Sequence, residues 1–113
     1  MNFSSSFQAV LNAFNNKDLD YAQQMCELLL KQRENADVFH LLALINKAKN
    51  QPDKSVFCFE SALKISANNP KIHGNYANLL ASLNEQKSAK SHYTQALKLD
   101  KNFVDAKVNL ALL

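Results

Sequence analysis

The side chains that could carry catalytic or metal chemistry are few. There are three histidines, His40, His73 and His92, and two cysteines, Cys26 and Cys58. Metal-binding motifs usually place ligands close together, as His-x3-His on one helix face or Cys-x2-Cys in a turn. Neither spacing occurs, so the histidines read as half-buried packing residues and the cysteines as inert core thiols. Asp18 and Asp20 lie at a helix start, where acids favour the helix dipole, and do not form a catalytic carboxylate pair. No serine sits on a glycine-flanked nucleophile turn. Gly74 is the only glycine, so a phosphate-cradling or dinucleotide-binding loop is excluded. No catalytic group, metal or cofactor is expected. The groups that can recognise something are asparagines. An amide offers one acceptor oxygen and two donors, enough to hold both the C=O and the N–H of a peptide backbone. Asn78 follows Asn75 by one helical turn, and Asn109 stands one sequence repeat beyond Asn75.

Composition narrows the setting. The 113 residues are 47% hydrophobic and 20% charged, as in a globular domain. Thirteen bases face ten acids, and all the bases but Arg33 are lysines spread between apolar positions. Nucleic-acid readers concentrate arginine on one face, so no nucleic acid is expected as a partner. Two cysteines make no disulfide framework. No apolar run approaches the ~20 residues of a membrane span, and the N-terminus lacks the apolar stretch of a signal peptide. A reduced, cytoplasmic protein without membrane contact is expected.

The elements that position the asparagines repeat. Shifted along itself by one fixed interval, the sequence aligns Ala9, Ala43, Ala77 and Ala111, and likewise Leu11, Ile45, Leu79 and Leu113. Further columns are Asn16, Asn50 and Asn84; Met25, Phe59 and Tyr93; Leu29, Leu63 and Leu97; Tyr21, Ser55 and Ala89; Leu28, Ala62 and Ala96. Each unit reads as two amphipathic helices. In the second unit Val38, Leu41, Leu42 and Ile45 recur at helical spacing before Asn50, and Val56, Phe59, Ala62 and Leu63 after it. The asparagine column suits the hairpin turns, where one residue must take a positive φ and asparagine tolerates it best after glycine. Pro52 and Pro70 fit the first turns of their helices, with Asn69 as N-cap.

A 34-residue helix–turn–helix with small residues at the crossings, an aromatic in the second helix and an Ala-Leu-x-Leu ending (Ala96, Leu97, Leu99) resembles the tetratricopeptide repeat. The resemblance covers nearly the whole chain, in units 2–35, 36–69 and 70–103 and a half unit 104–113. It departs from the family where His73 and Lys107 replace the early aromatic that Phe39 supplies. Arg33, Ala67 and Lys101 stand where the closing proline is usual. It implies an all-α fold, a right-handed α-solenoid of stacked antiparallel helix pairs, whose first helices line a concave face. On that face the expected peptide-binding residues are His40, Leu44 and Lys47 in the second unit, Lys71, Asn75 and Asn78 in the third, and Asn109 in the fourth. The asparagines are similar to the ladder that lines the repeat domain of the O-linked N-acetylglucosamine transferases. That similarity implies that they hold a peptide backbone. Another branch of the family grips C-terminal carboxylates with lysines and arginines. Here only Asn75 matches that clamp and Asp105 would repel a carboxylate, so no such tail is expected to bind.

The expected function is a non-enzymatic protein-protein interaction module that binds an extended peptide in its concave groove. The alternative is an N-terminal adaptor of a longer enzyme, such as a transferase, with its catalytic part beyond residue 113. The abrupt apolar ending, Leu110 to Leu113, points to a piece of a longer chain. It also suggests self-association through the last helix.

Overall fold

A computed structural model describes residues 2–113. Among them are seven α-helices and no strand: α1 (Phe3–Asn15), α2 (Leu19–Gln32), α3 (Ala36–Ala48), α4 (Pro52–Ile65), α5 (Pro70–Ser82), α6 (Gln86–Leu99) and α7 (Val104–Ala111). The chain divides into two units. The first ends at Ile65 and holds α1 to α4; the second, Ser66–Leu113, holds α5 to α7.

Three hairpins close in the same way. Lys17, Asn50 and Asn84 take positive φ, at 64°, 58° and 64°. The next residue's N–H then reaches back to a carbonyl five residues earlier: Asp18 to Ala13, Gln51 to Asn46 and Glu85 to Leu80, each at 2.8 Å. This bond satisfies a helix-end carbonyl that has no partner within its helix. Asn50 and Asn84 therefore do what their column predicts. Asn16 does not, because its φ is −85° and the turn falls on Lys17.

That slip runs through the whole first hairpin. The boundaries of α1 and α2 lie one residue nearer to those of α3 and α4 than the boundaries of α3 and α4 lie to those of α5 and α6. The cause is the link between hairpins: Arg33 to Asn35 is three residues, while Ser66 to Asn69 is four. The true partners in the core are thus Val10, Ala43 and Ala77; Ala22, Ser55 and Ala89; Cys26, Phe59 and Tyr93; Leu29, Ala62 and Ala96. All are buried. The alignment built on Ala9, Leu11, Tyr21, Met25 and Leu28 is corrected by one residue, and Tyr21 and Leu28 face outward.

The corrected columns make physical sense. Ala22, Ser55 and Ala89 are small residues with no exposed surface, where a bulkier side chain would hold a neighbouring helix away. Ser55 satisfies its buried hydroxyl by donating to the Ala43 carbonyl at 2.7 Å. Helix starts follow the same register. Asn2, Asn35 and Asn69 cap α1, α3 and α5, each accepting from a backbone N–H two or three residues ahead. Pro70 fills the first position of α5 and Pro52 that of α4, where no N–H is missed. Lys49 joins α3 to α2 by its bonds to Asp20 and Gln23, both at 2.6 Å.

Candidate functional site

The second unit brings two of the expected recognition residues into direct contact. Asn78, on α5, and Asn109, on α7, meet when Asn109 Nδ2 donates to Asn78 Oδ1 at 3.0 Å. The same oxygen accepts from the hydroxyl of Tyr93 on α6. An amide oxygen has two lone pairs, so this one is fully used. Burial raises the Tyr93 phenol above its ordinary value, which keeps it protonated and donating. Three helices thus fix one amide plane. What remains for a ligand is the Asn78 amide nitrogen as donor and the Asn109 carbonyl as acceptor.

Two hollows flank the pair. One, of about 240 Å3, is lined by Asn78, Ala81, Tyr93, Asn109, Leu112 and Leu113. The other, of about 40 Å3, is bounded by Gly74, Asn75, Asn78, Phe103, Asp105, Ala106 and Asn109. Gly74 is there for room: a Cβ would stand 3.0 Å from Phe103 Cε2. Asn75 therefore lies on the same wall as Asn78, one turn away, while Lys71 is exposed at the start of α5.

In the first unit, His40, Leu44 and Lys47 share one stripe of α3. His40 is half-buried, with its ring centroid 5.9 Å from that of Phe59 at a 50° tilt. Leu44 is half-buried and Lys47 exposed in the last turn.

Sequence reasoning did not foresee two pairings. The Tyr93 hydroxyl to Asn78 is one. The other joins His73 and His92. His73 Nε2 lies 2.8 Å from the Ala67 carbonyl and must donate to it, since a carbonyl only accepts. In neutral His73 the Nδ1 is then an acceptor, and it faces His92 Nδ1 at 3.0 Å. His92 in turn lies against the Tyr76 ring, centroids 4.7 Å apart. Two histidines so far apart in sequence, on separate helices, carry no spacing signal of this contact. The cysteines are as expected: both are free and buried, and burial raises Cys26 to about 12 and Cys58 to about 11. Such thiols are poor nucleophiles at neutral pH. Among the described residues no group of three or more His, Cys, Asp or Glu could hold a metal, and no helix is long and apolar enough to cross a membrane.

The family model for the tetratricopeptide repeat matches residues 36–69 and 70–103. The peroxisomal targeting signal receptor of Saccharomyces cerevisiae is 37% identical over 71 residues, which is 63% of this chain and 12% of the receptor. The chain thus spans about an eighth of that relative's length. Among solved structures, PcrH in complex with the chaperone binding region of PopB superposes with a TM-score of 0.85 at 16% identity, covering 100% of this chain and 98% of PcrH. The first TPR of Spaghetti (RPAP3), bound to an HSP90 peptide, gives a TM-score of 0.89 at 15% identity, covering 93% of this chain and 84% of that one. At such identities these two establish the fold alone. Repeated hairpins with shared turns, small crossings and two matched units lead to one conclusion: the chain belongs to the tetratricopeptide repeat family.

Proposed function

We propose that this chain is a protein-interaction module that binds an extended segment of a partner protein through the Asn78–Asn109 pair. The observation that carries the proposal is the locked amide. With its oxygen held by Tyr93 and Asn109, Asn78 presents its nitrogen, and Asn109 presents its carbonyl, as a fixed donor and acceptor. One residue of an extended segment offers the complementary C=O and N–H, both pointing to the same side. The hollow beside the pair, lined on its apolar side by Ala81, Leu112 and Leu113, takes a side chain of that segment. Lys71 and Asn75 on α5 contribute further contacts. In the first unit, the stripe of His40, Leu44 and Lys47 on α3 offers a contact surface of its own. The likeness to the transferase ladder is reduced to this: two asparagines act as a bonded pair and not as independent rungs.

Family resemblance supports a binding role. PcrH and the Spaghetti repeat were each solved with a bound partner segment, and the yeast relative is by name a receptor for a targeting signal. None of these is a transferase, and the adaptor alternative gains no support from them. Asp105 borders the smaller hollow beside Asn75 and argues against a carboxylate tail there.

The test is a synthetic peptide array, followed by fluorescence polarisation on the tightest 12-residue binder. Asn109→Ala is expected to weaken it about 5- to 10-fold, the worth of one hydrogen bond. N-methylation of one backbone amide in the peptide is expected to do the same in the parent protein and nothing further in the variant. Unchanged affinity in both cases would overturn the proposal.

A further inference from the structure

The first unit carries a second surface that the asparagine site does not use. A cavity of about 430 Å3, the size of a small-ligand pocket, opens between α2 and α4 over α3. Its apolar walls are Leu30 of α2, Phe39 and Leu42 of α3 and Phe57 of α4. At about 100° per residue, the stripe Phe39, Leu42 and Asn46 lies roughly 130° round α3 from the stripe His40, Leu44 and Lys47. The two surfaces of α3 are therefore separate.

Three observations point to an occupant. Phe57 is 66% exposed on the cavity wall, whereas Phe59, two residues on, has no exposed surface. Asn46, also on the wall, is only 3% exposed, and its oxygen has no partner; its nitrogen has only the Cys58 sulfur, at 3.6 Å. A leucine there would cost the fold less, so the polar group is not explained by packing. Lastly, the rim is charged. Glu27 on α2 and Asp53 on α4 face the opening from opposite walls, and neither makes an ion pair among the described residues. Lys54, beside Asp53, is the one base on the rim, so acid outweighs base there.

We propose that this cavity is a docking site for an amphipathic helix of a partner protein, which inserts a large aromatic side chain and places lysine or arginine beside Glu27 and Asp53. The shape favours a helix. α2 and α4 each join α3 by a three-residue link and run antiparallel to it, so they wall a trough parallel to their axes. Its α2 wall runs from Gln23 to Leu30, two helical turns, which suits anchors spaced three or four residues apart. Opposite charge at the rim sets orientation and partner choice.

The experiment uses the full chain and two fluorescein-labelled helical peptides, identical in a central Trp with Leu four residues before it. One is flanked by arginines and the other by glutamates. The arginine peptide is expected to bind at least tenfold tighter than the glutamate peptide. Phe57→Ala, a change at an exposed position, is expected to weaken it at least tenfold while circular dichroism stays unchanged. Glu27→Lys combined with Asp53→Lys is expected to invert the preference between the peptides. Asn109→Ala is expected to leave binding unaltered, which separates this surface from the peptide site of the second unit. Equal binding of the two peptides, no binding below 1 mM, or full binding by Phe57→Ala would overturn the proposal. So would sedimentation showing a dimer that Phe57→Ala dissolves, since the occupant would then be a second copy of this chain.

Discussion

Asn78 in the second unit and Asn46 in the first are both asparagines on the first helix of a hairpin, and they have opposite fates. The Asn78 oxygen accepts two hydrogen bonds from two other helices, while the Asn46 oxygen is buried with none. Their repeat positions differ: Asn78 corresponds to Leu44, and Asn46 to Leu80. A scaffold repeated in register gives every slot a matching neighbour. Where the neighbours are Tyr93 and Asn109, polar groups satisfy each other. Where the neighbour is the Cys58 thiol, the amide is left half used. Specific sites on such a scaffold thus arise from departures from the repeat, not from the repeat itself.

The difference between the units is expected to be largest in alkali. Both cysteines lie in the first unit, with thiols raised from 9.0 to about 12 and about 11 by burial. Above pH 9 the unfolded chain releases these protons and the folded chain keeps them, so stability falls as pH rises from 9 towards 11. Each thiol contributes up to about 1.4 kcal/mol per pH unit. Urea unfolding at pH 8, 9.5 and 11 measures this, and Cys26→Ala with Cys58→Ala is expected to flatten the slope. An unaltered slope would mean that the thiols do not govern it.

The next effect is a difference of sign. Asn78→Leu strips the Tyr93 hydroxyl and the Asn109 amide of their acceptor and is expected to destabilise by about 1–3 kcal/mol. Asn46→Leu copies Leu80, removes an unpartnered oxygen and is expected to stabilise by about 1 kcal/mol. Urea midpoints of the two variants settle it. If both move in the same direction, the contrast between a satisfied and an unsatisfied amide is wrong.

The smallest effect concerns Gly74, which corresponds to His40 in the first unit. Gly74→Ala brings a methyl to 3.0 Å from Phe103. Phe103 is half-buried and its ring can move a few tenths of an ångström. The gain in helix propensity, about 1 kcal/mol, is expected to be roughly cancelled. A thermal midpoint within about 2 °C of the parent is the expected result, and Phe103→Ala is expected to release the full gain from Gly74→Ala.

Much of the fold was legible in the residues. Helical spacing, Pro52 and Pro70 at helix starts, Asn69 as a cap and Asn50 and Asn84 at the turns all follow from local chemistry. The first hairpin was misread by one residue because Ala9 and Asn16 happen to match Ala43 and Asn50 at the same interval as the later units. Burial distinguishes the two registers, since Val10 and Ala22 have no exposed surface while Tyr21 and Leu28 face outward. The Asn2 and Asn35 caps, closer together by one residue than Asn35 and Asn69, were the sequence signal for the shorter spacing.

Local chemistry, read along the chain, determined that these residues form helical hairpins, where they turn and which families of side chain fill the core, because propensity, capping and periodicity act within a few residues. Tertiary structure alone decided the register of the first hairpin, the pairing of His73 with His92, the use of the Asn78 oxygen and the lack of a partner for the Asn46 oxygen. Each of these depends on which atoms of distant residues come within about 3 Å, and a hydrogen bond's direction and range make that a matter of packing, not of spacing.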